Sequence, residues 1–159
     1  INAYIKGCME AFKPFAEKKD IRMEWEGSCD KLEAWIDRNK LDSIVHNILS
    51  NAIRHSPDRA QVSVRLQEDC LEVYNSGVTI PEEDIPSLFT PFYRVEKSRN
   101  KSTGGSGLGL SIVRNMVLRN QGKISVESTF GMGTTFTLEF TAFDTEEQEK
   151  SDEIYLMER

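Results

Sequence analysis

Cysteine is scarce in this chain. There are three in 159 residues, Cys8, Cys29 and Cys70, widely spaced and with no CxxC pair. With His46 and His55 as the sole histidines they form no zinc-ligand pattern, so a disulfide framework and a zinc knuckle are both excluded. The thiols are expected to be reduced and mostly buried, as in a cytosolic domain. Long apolar runs are also missing: none approaches the roughly 18 residues that a membrane span requires. The start lacks the basic, apolar, small-residue order of a secretory leader, so none is expected within the chain. Ile1 stands where an initiator methionine would, so the chain is expected to be a piece of a longer protein. A basic excess is lacking as well. The net charge is −6, and residues 144–159, with seven acids and two bases, carry −5 of it. A nearly neutral body with an acidic tail argues against nucleic-acid binding through a basic face.

What is present is an ordinary globular composition, 38% hydrophobic and 29% charged, which rules out collagen-like, mucin-like and wholly disordered chains. The length suits one domain, or one domain and a tail, and buries about 70% of the unfolded surface without a metal or disulfide staple. Residues 3–19 have helical spacing, with Pro14 a kink or early stop. IRMEWE, 21–26, alternates as a strand does, and 33–36 reads as a second short one. Asp37 is a candidate N-cap for a helix over 38–56, which Ser56-Pro57-Asp58 stops. Strands follow at 61–67 and 70–75, joined at Glu68-Asp69. Pro81 and the acids after it open a short helix, and 93–106 reads as a long polar loop. A helix over 107–121 is expected to end at Gly122, before a hairpin of 123–129 and 134–141. The order predicts an α+β fold, a mixed and mostly antiparallel sheet under helices.

Four segments could carry chemistry. In GGSGLGLSIV, Gly104, Gly105, Gly107 and Gly109 precede a helix, where backbone N–H groups and the helix start favour phosphate. A flexible loop with no ligand explains a lone glycine cluster equally well. In HNILSNAIRHS, Asn47, Asn51 and Arg54 share one helix face. Asparagine is mildly unfavourable in a helix, and its amide oxygen is a hard ligand suited to Mg²⁺; a solvated polar stripe is the bland account. YNSG, Tyr74–Gly77, makes a tight turn at a strand end where a base edge could be read, and Phe89 and Phe92 beyond it read most simply as core aromatics. FGMGTTF, 130–136, is by itself a hairpin turn.

Their order and spacing together resemble the catalytic, ATP-binding domain of bacterial sensor histidine kinases, within the superfamily that includes the gyrase, Hsp90 and MutL ATPases. The resemblance covers nearly all of residues 1–141, with 1–19 a lead-in helix, 93–106 an ATP lid and 142–159 an acidic tail. It implies a two-layer Bergerat-type sandwich with ATP between the Asn helix and the lid. Asn51 matches the Mg²⁺-ligating asparagine and Asn47 the one a turn earlier. Arg54 matches a basic residue that contacts phosphate, and His55 stands where a Tyr often lies beside the nucleotide. Asn75 matches the adenine-reading Asp, Gly77 the glycine after it, and Ile80 lies in the same box. Phe89, Phe92 and Tyr93 match an aromatic segment, and Arg94 a group reaching the γ-phosphate. Gly105, Gly107, Leu108, Gly109 and Leu110 match the lid, and Gly131, Gly133 and Thr134 the last box.

Two positions depart from the family pattern. Asn75 replaces a charged acceptor by a neutral one, a bond of about 1 kcal/mol instead of about 1.5–3. The amide oxygen can still accept, so selectivity for adenine is expected to persist with weaker ATP binding. Thr79 stands in place of a second glycine. The family's phosphoacceptor is a histidine in a segment resembling His-Glu-x-x-x-Pro; His46 and His55 have no such context. The resemblance therefore implies a γ-phosphoryl transfer from Mg-ATP to a histidine on a separate dimerisation and phosphoacceptor domain, with a response regulator downstream. It implies a cytoplasmic location in a membrane-anchored sensor, no direct membrane contact by this piece, a monomeric fragment and a homodimeric whole. Asn51, Arg54 and Arg94 would be its catalytic residues; Lys97, Arg99 and Lys101 would assist as the lid closes, and a solvated loop explains them equally well. A stand-alone serine kinase of the anti-sigma type and a degenerate binding module are the rival readings.

Overall fold

Side-chain alternation decides which way the sheet faces. Val62, Val64, Leu66, Leu71, Val73, Phe136 and Leu138 point one way and are at most 2% exposed, while Glu24, Glu26, Arg65, Glu72 and Thr137 share the other face by register. The computed structural model describes residues 2–27, 36–67, 70–95 and 105–140. Five strands, β1 (Arg22–Gly27), β2 (Gln61–Leu66), β3 (Cys70–Ser76), β4 (Lys123–Thr129) and β5 (Gly133–Glu139), form one sheet in the order β1-β2-β3-β5-β4. β1 and β2 are parallel and the other pairs antiparallel, as the α+β reading requires. On the polar face Arg65 bridges Glu26 at 2.6 Å and Glu72 at 3.4 Å, its partners across both neighbouring strands.

Three helices cover the apolar face. α1 (Asn2–Glu17) runs through Pro14 and buries Ile5, Met9, Phe12 and Ala16. α2 (Arg38–His55) starts at Asp37, whose carboxylate accepts from the backbone N–H groups of Asn39 at 2.9 Å and Lys40 at 3.2 Å. It buries Leu41, Ile44, Val45, Ile48, Leu49, Ala52 and Ile53; each of the Leu, Ile and Val side chains contributes about 1.5–3 kcal/mol when fully withdrawn from water. At its end Ser56 turns extended and donates through Oγ to the carbonyl of Ala52 at 2.7 Å. α3 (Gly109–Arg119) buries Val113 and Val117.

Several boundaries differ from the sequence reading. The short helix after Pro81 is a 3₁₀ turn over Glu82–Ser87 with Pro81 as its cap. α3 ends earlier than expected, and Gln121, not Gly122, takes the left-handed conformation at φ 58°. Gly122 is needed for space: a Cβ there would lie 2.5 Å from the carbonyl oxygen of Glu139. Cys70 is buried and Cys8 only partly so. Most of the predicted strand at 33–36, the turn at Glu68-Asp69, the central part of the lid with Lys97, Arg99 and Lys101, and the acidic tail lie outside the described residues; Ile36, the last residue of that predicted strand, is in no strand.

Candidate functional site

The helical periodicity of α2 sends its apolar residues into the core and leaves one polar face at the open end of the sheet. That face walls a cavity of about 700 Å³, closed on other sides by the ends of β3 and β5, residues 93–95 and the start of α3, a volume within the usual range for small-molecule sites. Of the residues singled out from the sequence, the cavity brings together Asn47, Asn51, Arg54 and His55 from α2, Asn75, Gly77 and Ile80 around β3, Tyr93 and Arg94, Gly105, Gly107, Gly109 and Leu110, and Thr134.

Phe89, Phe92 and Leu108 do not line it. Phe89 is half-buried beneath the Arg114 guanidinium of α3, 5.9 Å from its ring centre. Phe92 is 71% exposed, so the core-aromatic reading does not hold for it either. Its role is in the backbone, where its N–H donates to the Gly107 carbonyl at 3.0 Å. Leu108 caps α3, its carbonyl accepting from Ile112 N–H and Ser111 Oγ.

On the α2 wall Asn47 donates to the Ser43 carbonyl at 2.7 Å, which leaves Oδ1 facing Gly109. A Cβ on Gly109 would lie 2.9 Å from that oxygen, and one on Gly105 2.8 Å from Arg54 Nη1. The carboxamide of Asn51 has no hydrogen-bond partner among the described residues. Opposite, the first backbone N–H groups of α3 have no intrahelical acceptor, and the helix dipole adds partial positive charge there. Gly107 sits at φ 71°, and a Cβ on it would lie 2.9 Å from the backbone of Phe92. The tyrosine hydroxyl of Tyr93 bonds to Asp84, tying this segment to the 3₁₀ turn.

The floor of the cavity is built differently. Asn75 is 2% exposed and Thr134 1%, opposite each other on β3 and β5. Thr134 donates to the Val78 carbonyl at 3.0 Å and lies 2.8 Å from Ser128 Oγ, which accepts from Ile80 N–H at 2.8 Å. Of the buried polar side chains among the described residues, Asn75 and Ser63 alone have no hydrogen-bond partner, and only Asn75 faces the cavity. Buried polar groups are ordinarily satisfied, so this amide has unused hydrogen-bonding capacity facing the cavity.

Cations gather at the mouth. Lys19, which the sequence reading missed, lines the cavity and donates to three carbonyls at the end of α2. His55 keeps much of its surface in solvent, but its ring borders the concave wall, where partial loss of water lowers its pKa from the ordinary 6.5, and Arg54, Lys19 and Arg94 push it the same way. Among the described residues no group of three His, Cys, Asp or Glu could hold a metal; any divalent ion would rely on amide oxygens and a ligand's own. Lys19 carried no sequence signal, because its partners are backbone carbonyls distant in the chain.

Likeness to known proteins shows the family. The family described as "Histidine kinase-, DNA gyrase B-, and HSP90-like ATPase" matches residues 36–143. The sensor histidine kinase WalK of Bacillus subtilis (strain 168) is 41% identical over 120 residues, covering 72% of this chain and 19% of that protein. The phosphate regulon sensor protein PhoR of Pseudomonas aeruginosa is 34% identical over 115 residues, 70% of this chain and 26% of its own. The chain thus spans about a fifth to a quarter of these relatives. The nucleotide-free catalytic domain of histidine kinase ThkA superposes with a TM-score of 0.74 at 26% identity, covering 89% of this chain and 92% of that one. A structure of ThkA in complex with the response regulator TrrA superposes at 0.71 with 25% identity, over 90% of this chain and 40% of that one. The chain belongs to the histidine kinase-, gyrase B- and Hsp90-like ATPase family, and within it is the ATP-binding catalytic domain of a sensor histidine kinase.

Proposed function

We propose that this domain binds Mg-ATP in the cavity and delivers the γ-phosphoryl group to a histidine on a separate dimerisation and phosphoacceptor domain of its own protein, a homodimeric sensor in two-component signalling. The observation that carries the reading is the pairing of two walls: Asn47, Asn51 and Arg54 on one face of α2, and the first N–H groups of α3, which have no intrahelical acceptor, across the cavity. The fit to the ligand is chemical. The Asn51 oxygen is a hard donor of the kind Mg²⁺ takes while keeping several waters. The space at Gly105 and Gly109 admits phosphate oxygens where a Cβ would crowd Arg54 and Asn47. The buried Asn75 amide offers hydrogen bonds to a base.

When bound, Mg-ATP would supply the phosphoryl group and a divalent ion, held by the Asn51 oxygen, that offsets phosphate charge. Arg54 and Arg94 offset negative charge at the mouth, and the α3 N–H groups do so from the opposite wall. Asn47 and Asn51 hold position because α2 is anchored by its buried face. Thr134 and Asn75 form the buried floor at the base end. The acceptor imidazole comes from outside this chain, so the domain's contribution is positioning and charge neutralisation. A response regulator acts downstream, a partnership supported by the one that ThkA has in its complex with TrrA. Among the described residues no helix is long and apolar enough to cross a membrane, which suits a domain working on the cytoplasmic side of an anchored sensor.

The test is to mix the chain with γ-labelled ATP and a phosphoacceptor domain from its own protein. Acid-labile, base-stable label on the acceptor, dependent on Mg²⁺, supports the reading. Nucleotide binding with no transfer points to the degenerate binding module instead.

A further inference from the structure

The floor of the cavity has an unusual balance of donors and acceptors. Thr134 has spent its hydroxyl proton on the Val78 carbonyl at 3.0 Å, so the Ser128 hydroxyl must donate to Thr134 across their 2.8 Å contact while it accepts from Ile80 N–H. Ser56 has likewise spent its proton on the Ala52 carbonyl at 2.7 Å. The carboxamide of Asn75, 2% exposed and without a partner among the described residues, is left as the buried side chain lining this cavity with both a donor and an acceptor to offer.

A carboxamide is symmetric in shape and opposite in polarity at its two ends. Rotating its terminal bond by about 180° exchanges oxygen for NH₂, and here no existing hydrogen bond resists the exchange. A 6-aminopurine presents a donor at position 6 and an acceptor at N1. A 6-oxopurine presents the reverse, an acceptor at position 6 and a donor at N1. One orientation of Asn75 matches each. A carboxylate in its place would accept only, and would repel the 6-oxo group. The hydroxyls nearby do not break the tie, because their protons are already committed.

We infer that Asn75 makes this site accept 6-oxopurine nucleotides, those of hypoxanthine and guanine, alongside adenine nucleotides. The inference rests on the nucleotide-binding reading above, and it replaces the expectation that selectivity for adenine persists. Asn75 is then the specificity-determining residue, and the relaxed specificity comes from the amide's ability to turn.

Calorimetric titration of the chain with ADP, IDP and GDP in Mg²⁺, beside Asn75→Asp, decides the matter, since the three ligands differ in the base alone. IDP should bind within about tenfold of ADP in the natural chain, and the Asp variant should shift that ratio towards ADP by about tenfold or more, the worth of one good base contact. GDP weaker than IDP would reflect the extra 2-amino group and still support the match at position 6. ADP binding with IDP more than about tenfold weaker, or the same ratio in both proteins, overturns the inference and leaves the nucleotide reading standing. Binding of none of the three overturns both. If the Asp variant does not fold, the IDP to ADP ratio of the natural chain decides alone.

Discussion

Lys19 and Arg54, 35 residues apart, are joined by a 2.9 Å hydrogen bond from the Lys19 ammonium to the Arg54 carbonyl. The same ammonium donates to the carbonyls of Ile53 at 3.1 Å and Ser56 at 2.7 Å, and the Lys19 carbonyl accepts from Arg59 N–H at 2.9 Å. The end of α2 would otherwise present unsatisfied carbonyls and the negative end of its dipole. One side chain satisfies both needs at the turn that carries Arg54 and His55 into the cavity.

Replacing Lys19 with Met keeps the apolar stem and removes the charge. We expect a loss of about 1.5–3 kcal/mol in urea unfolding, the range for hydrogen bonds from a charged group, together with several-fold weaker nucleotide binding as the α2 end loosens. An unchanged unfolding midpoint would show that water caps the helix equally well.

Asn51→Ala should leave the unfolding midpoint within about 0.5 kcal/mol, because the side chain is only partly buried and has no partner among the described residues to lose. Titration with ATP should lose its dependence on Mg²⁺ in this variant. Equal affinity with and without EDTA in the natural chain would remove Asn51 from the metal site.

Two glycines give opposite expectations for the same substitution. Gly107→Ala places a Cβ at φ 71° and 2.9 Å from the Phe92 backbone, so it should destabilise by at least about 1–2 kcal/mol and weaken nucleotide binding. Gly7 lies inside α1 with open space around it, and Gly7→Ala should stabilise by about 0.5–1 kcal/mol with binding unchanged. Thermal melts of both variants check the pair; a shift of the same sign in each would refute the backbone argument.

His55 ties stability to pH. Its folded-state pKa lies below the ordinary 6.5, so the unfolded chain takes up the proton more readily. The stability this contributes is full above about 6.5 and is lost as pH falls through the folded-state value. The ligand-free domain should therefore lose stability on acidification below pH 6.5, and His55→Gln should flatten that dependence. Nucleotide phosphates placed beside the ring would favour its protonated form, so bound ligand should reduce the loss. Parallel curves for the two proteins across pH 5–7 would mean that another group governs the slope.

Much of the fold was legible because its signals are local. The alternation in β2 and β3, the apolar stripe of α2 and the Asp37 cap each follow from a short window of residues, and the structure places them within a residue or two. The end of α3 was misread because the glycine signal stands for two different things. Gly122 reads as a left-handed stop, but Gln121 takes that conformation while Gly122 makes room for the Glu139 carbonyl. Phe92 was misread for a related reason: its side chain suggested a core or cavity position, while its contribution is a backbone bond to Gly107.

The sequence by itself determined the elements, the apolar faces and the polar residues offered at the helix and strand ends, because these depend on periodicity and on chemistry carried by each residue. Tertiary structure alone decided which of those polar groups meet and which stay unsatisfied. Lys19 reaches the end of α2, Ser128 donates to Thr134 and Thr134 to the Val78 carbonyl, and Asn75 has no hydrogen-bond partner for its amide among the described residues. Hydrogen bonds between distant segments depend on where the chain brings donors and acceptors within about 3 Å, and no local pattern in the sequence records that distance.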